Sequence, residues 1–238
     1  MHDLLQEHRR GRRPRKSVLR EARRAFPPGP VLQHYSPKWC IPPAGRFMPA
    51  LLELYDAHGG RKYLCARELS RFLAAAAQSD ESTRLLCSLI AYSGCRVSEA
   101  LALTADRLDA DTGRVVFRSL KRRKLAFRAV PIPRELLLAL KAHTAATQGD
   151  GRVWPWCRQT AWRRIKKVMD AAGVTGSQAM PKGLRHGFGV ANAEENVPMA
   201  TTQRWLGHAK LETTAIYQQA VGREETAFAR RLWRKWDS

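Results

Sequence analysis

The chain has 238 residues, enough for one large domain or for a catalytic domain with a short appendage. Its hydrophobic fraction of 44% is ordinary for a globular core, but 42 Lys and Arg against 21 Asp and Glu leave a formal charge of +21. Such an excess calls for a polyanionic partner, either nucleic acid or an anionic membrane surface. The longest apolar runs fall well short of the roughly 18 residues a spanning helix needs.

The N-terminal stretch to Pro30 carries Arg9, Arg10, Arg12, Arg13, Arg15, Lys16, Arg20, Arg23 and Arg24 against Asp3, Glu7 and Glu21. It lacks the apolar run of a secretory signal. Two readings stand: a solvated tail, or an arm that tracks the DNA backbone and gains affinity by counterion release. Residues 31–62 are rich in proline and read as a linker with one short helix at Phe47–Tyr55. This predicts a basic arm and linker over 1–62 and the main domain over 63–238. Five cysteines, Cys40, Cys65, Cys87, Cys95 and Cys157, are scattered without a C-x-x-C pair. That pattern fits reduced thiols in a cytoplasmic protein and argues against a zinc module.

From Tyr63 onward the apolar spacing tightens. Leu64, Leu69, Phe72 and Leu73 predict one helix; Leu85, Leu86, Leu89, Ile90 and Tyr92 predict a second that stops at Ser93-Gly94. Val115–Phe117 and Phe127–Pro131 predict two strands around a basic turn, Arg118–Lys124. Helices are expected at Pro133–His143, Thr160–Ala172, Leu184–Glu194 and Met199–Leu206, then a short one at Thr213–Gln219 and a last one at Glu224–Trp236. The fold class is therefore mainly α with a small antiparallel β-sheet.

Four local patterns follow one another in order. Arg96 opens an apolar helix just after the Gly94 break, in Ser93-Gly94-Cys95-Arg96-Val97-Ser98-Glu99. Lys121 sits on the predicted hairpin, ahead of Arg128-Ala129-Val130-Pro131. Lys182-Gly183-Leu184-Arg185-His186 comes third. Leu206-Gly207-His208 comes last, with Tyr217 downstream. Taken together, these residues resemble the catalytic domain of the tyrosine recombinase (phage integrase) family, over Tyr63 to Tyr217 or through the C-terminal helix.

What the resemblance implies is DNA strand breakage and rejoining through a 3′-phosphotyrosine link. Planar guanidinium forks suit the charge that builds on the non-bridging oxygens of an attacked phosphodiester, so Arg96 and Arg185 are expected to clamp it. Tyrosine ordinarily ionises near pH 10, so Tyr217 needs a cationic surrounding to attack as phenolate. By resemblance, Lys121 protonates the leaving 5′-oxygen, with Lys124 close enough to compete for that role. His208 takes a position held against the scissile phosphate in the family. Lys182 departs from the histidine often found at its position; a lysine ordinarily stays charged up to about pH 10.4, so it is expected to act as a third phosphate-stabilising cation. His186 reads as a structural hydrogen-bonder, and Glu99 either as a holder of Arg96 or as an exposed helical acid. Because the bond energy is stored in the phosphotyrosine, the family needs neither metal nor ATP.

Arg158, Arg163, Arg164, Lys166 and Lys167 fall at helical spacing around Trp162, a face suited to double-stranded DNA or simply to water. Phe228, Leu232 and Trp236 recur at every fourth position, an amphipathic stripe. The resemblance implies docking on a neighbouring protomer, in a homotetramer on DNA. The segment before Tyr63 is too short for the helical core-binding domain that family members usually carry. The expectation is a compact member, or one whose missing half an accessory protein supplies. Competing expectations are a non-enzymatic DNA-binding protein on the same fold and a nicking-closing enzyme like the type IB topoisomerases. The resemblance points to a bacterial, plasmid or phage source.

Overall fold

The computed structural model describes residues 54–119, 126–147, 151–219 and 229–236. The basic arm, most of the expected helix at Phe47–Tyr55, the turn bearing Lys121 and Lys124, and Phe228 lie outside the described residues. At the end of that expected helix, Tyr55 forms an isolated antiparallel bridge with Arg61.

Helix α1 (Ala66–Ala77) starts at Cys65, whose amide donates to Glu68 Oε2 at 2.9 Å. The carboxylate three residues in thus satisfies an amide that the helix leaves open. Asp80 caps α2 (Glu81–Ser93) by accepting from the Thr83 amide at 3.1 Å. The run Leu85, Leu86, Leu89 and Ile90 is wholly buried. The helix ends at Gly94, whose φ of 61° lies in the left-handed region that favours glycine. That reversal releases Arg96 at the N-cap of α3 (Val97–Leu101).

A single 3-10 turn at Ala105–Arg107 leads into β1 (Leu108–Asp109), β2 (Arg114–Arg118) and β3 (Phe127–Pro131). They form an antiparallel sheet in the order β1-β2-β3, with Val115 opposite Val130 and Phe117 opposite Arg128. The sequence pattern predicts two of these strands. The third, β1, has two residues, too few for an alternation to register.

Helices α4 (Arg134–Ala146), α5 (Arg158–Ala171), α6 (Pro181–Glu194), α7 (Met199–Leu206) and α8 (Glu212–Ala215) follow, and α8 tightens into a 3-10 turn at Ile216–Gln219. Residues 229–233 are helical as well. The mainly helical fold with a small sheet is as expected, but α6 begins three residues before the predicted Leu184. Proline suits a first helical position, where no amide partner is lost, so Pro181 starts the helix and brings Lys182 onto it.

The main core gathers Phe72, Leu85, Leu89, Phe117, Leu137, Leu140, Trp154 and Ile165. A smaller apolar cluster joins Leu54, Tyr63, Val190, Leu206, Ile216 and Tyr217.

Trp154 is fully buried, and its indole N–H donates to the Ser82 carbonyl at 3.0 Å, tying the loop before α5 to α2. Trp154→Ala is expected to cost about 3–5 kcal/mol of unfolding free energy in urea titrations. A loss below about 1 kcal/mol would show that this loop does not share the core's cooperativity.

Candidate active site

Helix α6 carries the site on one stripe. Lys182, Arg185, His186 and Gly189 stand at i, i+3, i+4 and i+7, the spacing that lines up one helical face. Lys182 is exposed at its start, while Arg185 and His186 are buried. The helix sits deep because its glycines admit close neighbours. A Cβ on Gly187 would lie 2.7 Å from the Leu64 carbonyl oxygen, and one on Gly189 would lie 2.5 Å from the Tyr217 ring.

Arg185 is anchored by backbone. Its Nη1 donates to the Gly94 carbonyl and its Nη2 to the Leu206 carbonyl, both at 2.7 Å. Two helix C-termini, those of α2 and α7, thus hold the guanidinium by carbonyls their own helices leave unpaired. Burial lowers its pKa to about 10, with the Arg96 charge adding to the effect, so it stays cationic at neutral pH.

Arg96 is held from below by Glu99. The Arg96 amide donates to Glu99 Oε2 at 2.9 Å and its Nη1 to Oε1 at 2.8 Å. The same carboxylate takes two bonds from Arg128, Nη1 at 3.2 Å and Nη2 at 2.7 Å, while Arg128 Nε donates to the Trp205 carbonyl at 2.7 Å. The Arg128 guanidinium also lies over the Phe117 ring, 5.1 Å from its centroid. Burial would raise the Glu99 pKa, but the hydrogen bonds and charge of Arg128, reinforced by Arg96, hold it below the usual range. Of the two expectations for Glu99, the exposed helical acid is overturned: four donors converge on it, and burying a carboxylate is tolerable only with such partners.

Tyr217 lies on the 3-10 turn after α8 with its ring nearly buried. The His186 Nδ1 is 3.1 Å from the Tyr217 hydroxyl. The His208 ring stacks on that of Tyr217, 6.2 Å between centroids and 17° from parallel. His208 Nδ1 is in turn paired with Thr214 Oγ1 at 2.9 Å. Both histidines are held neutral at pH 7, chiefly by burial and then by neighbouring cations. The His186 pKa falls to about 4 and the His208 pKa to about 3. Burial also pushes the Cys95 thiol up to about 12, so it is inert.

Arg96, Lys182, Arg185, His186, His208 and Tyr217 line one open cleft of about 580 Å³, together with Lys62 and Arg158. Five of the six residues expected to be catalytic therefore converge. The sixth, Lys121, lies outside the described residues, as does Lys124. Ser119 and Ala126, on either side of those residues, border a recess shared with His208.

A sequence model of the phage integrase family matches residues 62–223. The chain belongs to the phage integrase family. Tyrosine recombinase XerA of Thermococcus kodakarensis is 31% identical over 170 residues, which cover 67% of this chain and 58% of that protein. Tyrosine recombinase XerD of Mycobacterium tuberculosis is 30% identical over 148 residues, covering 56% and 46%. The chain thus spans only about half to three fifths of the length of these relatives. Among solved structures, that of XerA recombinase superposes with a TM-score of 0.61 at 26% identity, over 72% of this chain and 65% of that one. The catalytic domain of bacteriophage HP1 integrase gives 0.54 at 22% identity, over 71% and 93%, a likeness of fold.

Within this family member, the basic face predicted on α5 divides. Arg158 borders the cleft with Tyr217. Arg163 and Lys167 are exposed. Arg164 bonds Asp80 at 2.7 Å and lies 4.3 Å over the Trp156 ring, and Lys166 donates to the Ala179 carbonyl at 3.0 Å. Those two cations are engaged within the protein. Arg128 was missed by the sequence reading, although its strand gave the clue. Alternation puts it on the inward face with Val130, and an inward arginine requires a carboxylate.

The two neutral histidines set an acid limit on stability. In the unfolded chain they protonate below about pH 6.5, while the folded site refuses the proton until about pH 4 and about pH 3. The unfolded state therefore binds more protons in that window, and stability present above pH 6.5 is lost as the pH falls. Each histidine is expected to contribute a slope of up to about 1.4 kcal/mol per pH unit. Glu99 adds its own loss only below its ordinary 4.5. Urea titrations between pH 7 and 5 check this, with His186→Asn flattening the slope; a profile already flat in the unmodified chain contradicts it.

Proposed function

We propose that this chain is a tyrosine-type site-specific DNA recombinase, cleaving and rejoining DNA through a 3′-phosphotyrosine at Tyr217. One observation carries the reading: the Tyr217 hydroxyl lies in a cleft whose other walls are Arg96, Lys182 and Arg185. A guanidinium has five N–H donors. Arg185 uses two of these on carbonyls and Arg96 one on Glu99, leaving donors on both for non-bridging phosphate oxygens. Such donors, fixed before the substrate arrives, stabilise charge where it develops.

In the proposed reaction Tyr217 attacks phosphorus and the 5′-oxygen leaves with a proton from Lys121, or from Lys124 on the same turn. His208 and Lys182 complete the anion site, and no metal or ATP takes part. Arg158, Arg163 and Lys167 contact the flanking double-stranded DNA. Recombination requires four protomers around two duplexes; the C-terminal stripe, with Leu232 and Trp236 exposed, is the expected docking element. An accessory protein is expected if this chain lacks a second clamp on DNA. The work is done in the cytoplasm, on chromosomal, plasmid or phage DNA.

The test is covalent trapping on a nicked duplex built from the DNA that flanks the gene. A DNA-linked protein band is expected on a denaturing gel, persisting in EDTA and absent in Tyr217→Phe. No such band, with DNA binding intact, would turn the reading to a binding protein on this fold. Lys182→Gln is expected to slow formation of the band about 10-fold or more without moving the pH–rate profile. A shifted profile would make Lys182 a proton carrier instead of a fixed cation.

A further inference from the structure

The geometry points to His186 as the base that takes the hydroxyl proton of Tyr217 during attack. This assignment rests on the reading of Tyr217 as nucleophile and extends it to a residue the sequence reading had left structural. His186 approaches the hydroxyl directly, with Nδ1 at 3.1 Å from the oxygen. His208 does not compete. Its ring lies nearly parallel to the Tyr217 ring, and its Nδ1 is already paired with Thr214. Lys182 is exposed at the start of the helix, and a lysine ammonium offers donors but no lone pair to take a proton.

The other nitrogen of the ring supports a functional reading. His186 Nε2 is buried and has no hydrogen-bond partner among the described residues. Whichever tautomer is present, one ring nitrogen is left unsatisfied, and that costs more than an ordinary hydrogen bond returns. A purely structural residue at this position gains little from being histidine. An imidazole that must exchange a proton with Tyr217 gains freedom, because no second bond locks its tautomer.

The charges facing His186 make its basicity depend on substrate. Lys182 and Arg185 stand on its own helix, Lys62 approaches from the segment before α1, and His208 and Tyr217 come from beyond α7. Burial first and then Lys182, Arg185 and Lys62 hold its pKa at about 4. A phosphodiester anion seated among those cations offsets their push and raises the proton affinity of the ring. The base therefore strengthens when DNA is in place.

The step balances. As the Tyr217 Oη–phosphorus bond forms, the hydroxyl proton moves to His186 Nδ1, the phosphorus–O5′ bond breaks, and O5′ takes a proton from the general acid. The imidazolium then remains hydrogen-bonded to the phenolic ester oxygen. Rejoining reverses this: O5′ attacks phosphorus and returns its proton to the acid, and Tyr217 leaves with the proton from His186.

The test follows covalent band formation in single turnover across pH, with full-length protein and two nicked substrates. One has an ordinary scissile phosphate; the other has sulfur at the 5′-bridging position, whose thiolate leaves without needing an acid. His186→Asn retains a hydrogen-bonding group near Nδ1 but cannot take a proton. It is expected to be about 10²-fold slower or more on both substrates. Its rate should still climb with pH where the unmodified chain has levelled, while gel-shift affinity for DNA is unchanged. Equal rate and profile, or recovery on the sulfur substrate, would overturn the assignment. Should Asn disturb packing, His186→Ala with added imidazole decides: a rate that tracks neutral imidazole supports the base, and no rescue overturns it. Failure of the unmodified chain to form any Tyr217-dependent band sinks the recombinase reading itself, which is a separate outcome.

Discussion

Among the described residues Glu99 is the carboxylate that underlies a pair of arginines, Arg96 and Arg128, and the rest of the site depends on it. Its two oxygens receive the Arg96 amide, the Arg96 side chain and two nitrogens of Arg128. Arg128 passes the connection on to the Trp205 carbonyl near the end of α7. One buried ion therefore ties α3, β3 and α7 together. Buried pairs of this kind add little net stability relative to apolar packing, because each charge must be desolvated. Removing one partner is far worse, since the other is left charged and unpaired. The arrangement is thus better understood as a device for geometry. It fixes the direction of Arg96 and seals the floor under a cationic site without neutralising the cations that face the cleft.

Helix α6 meets that floor from the other side. Its glycines let it approach Leu64 and Tyr217 at distances no Cβ would permit, so the functional stripe sits within reach of the C-termini of α2 and α7. The carbonyls there carry partial negative charge from their helices. They take the place of a second carboxylate for Arg185, holding it by dipoles while leaving its full charge available. Two arginines that look alike in sequence are thus supported differently, one by an acid and one by backbone.

Much of this was legible because the residues that carry it have strong local signatures. The Gly94 break, the Pro131 strand end and the Leu206-Gly207-His208 turn each punctuate an element, and each places a polar side chain at a known point. The order of Arg96, Arg185, His208 and Tyr217 followed. What sequence could not provide was partnership across the fold. Glu99 and Arg128 are 29 positions apart and meet at 2.7 Å, and nothing local distinguishes that acid from a solvated one. The reading of His186 as a hydrogen-bonder fits its burial, but its partner Tyr217 arrives through tertiary packing that sequence does not show. On α5 the limit worked the other way. Helical spacing showed a uniform basic face, but Arg164 and Lys166 are taken up by Asp80 and the Ala179 carbonyl.

Burial comes first in keeping the histidines of the cleft neutral, and the balance of charge there adds to it. Lys62, Arg96, Arg158, Lys182 and Arg185 border one cavity, with Glu99 below as the opposing charge. Like charges so close repel, and the burial of Arg185 weakens the screening between it and its neighbours. The protein holds this unfavourable arrangement through packing and backbone bonds made elsewhere. Burial is the larger reason that the pKa values of His186 and His208 fall, and protonating either would add to this repulsion. An incoming phosphodiester relieves the same repulsion, so binding energy and proton affinity rise together. The site is therefore biased toward accepting an anion, and the proton affinity of its histidines is tied to the presence of that anion.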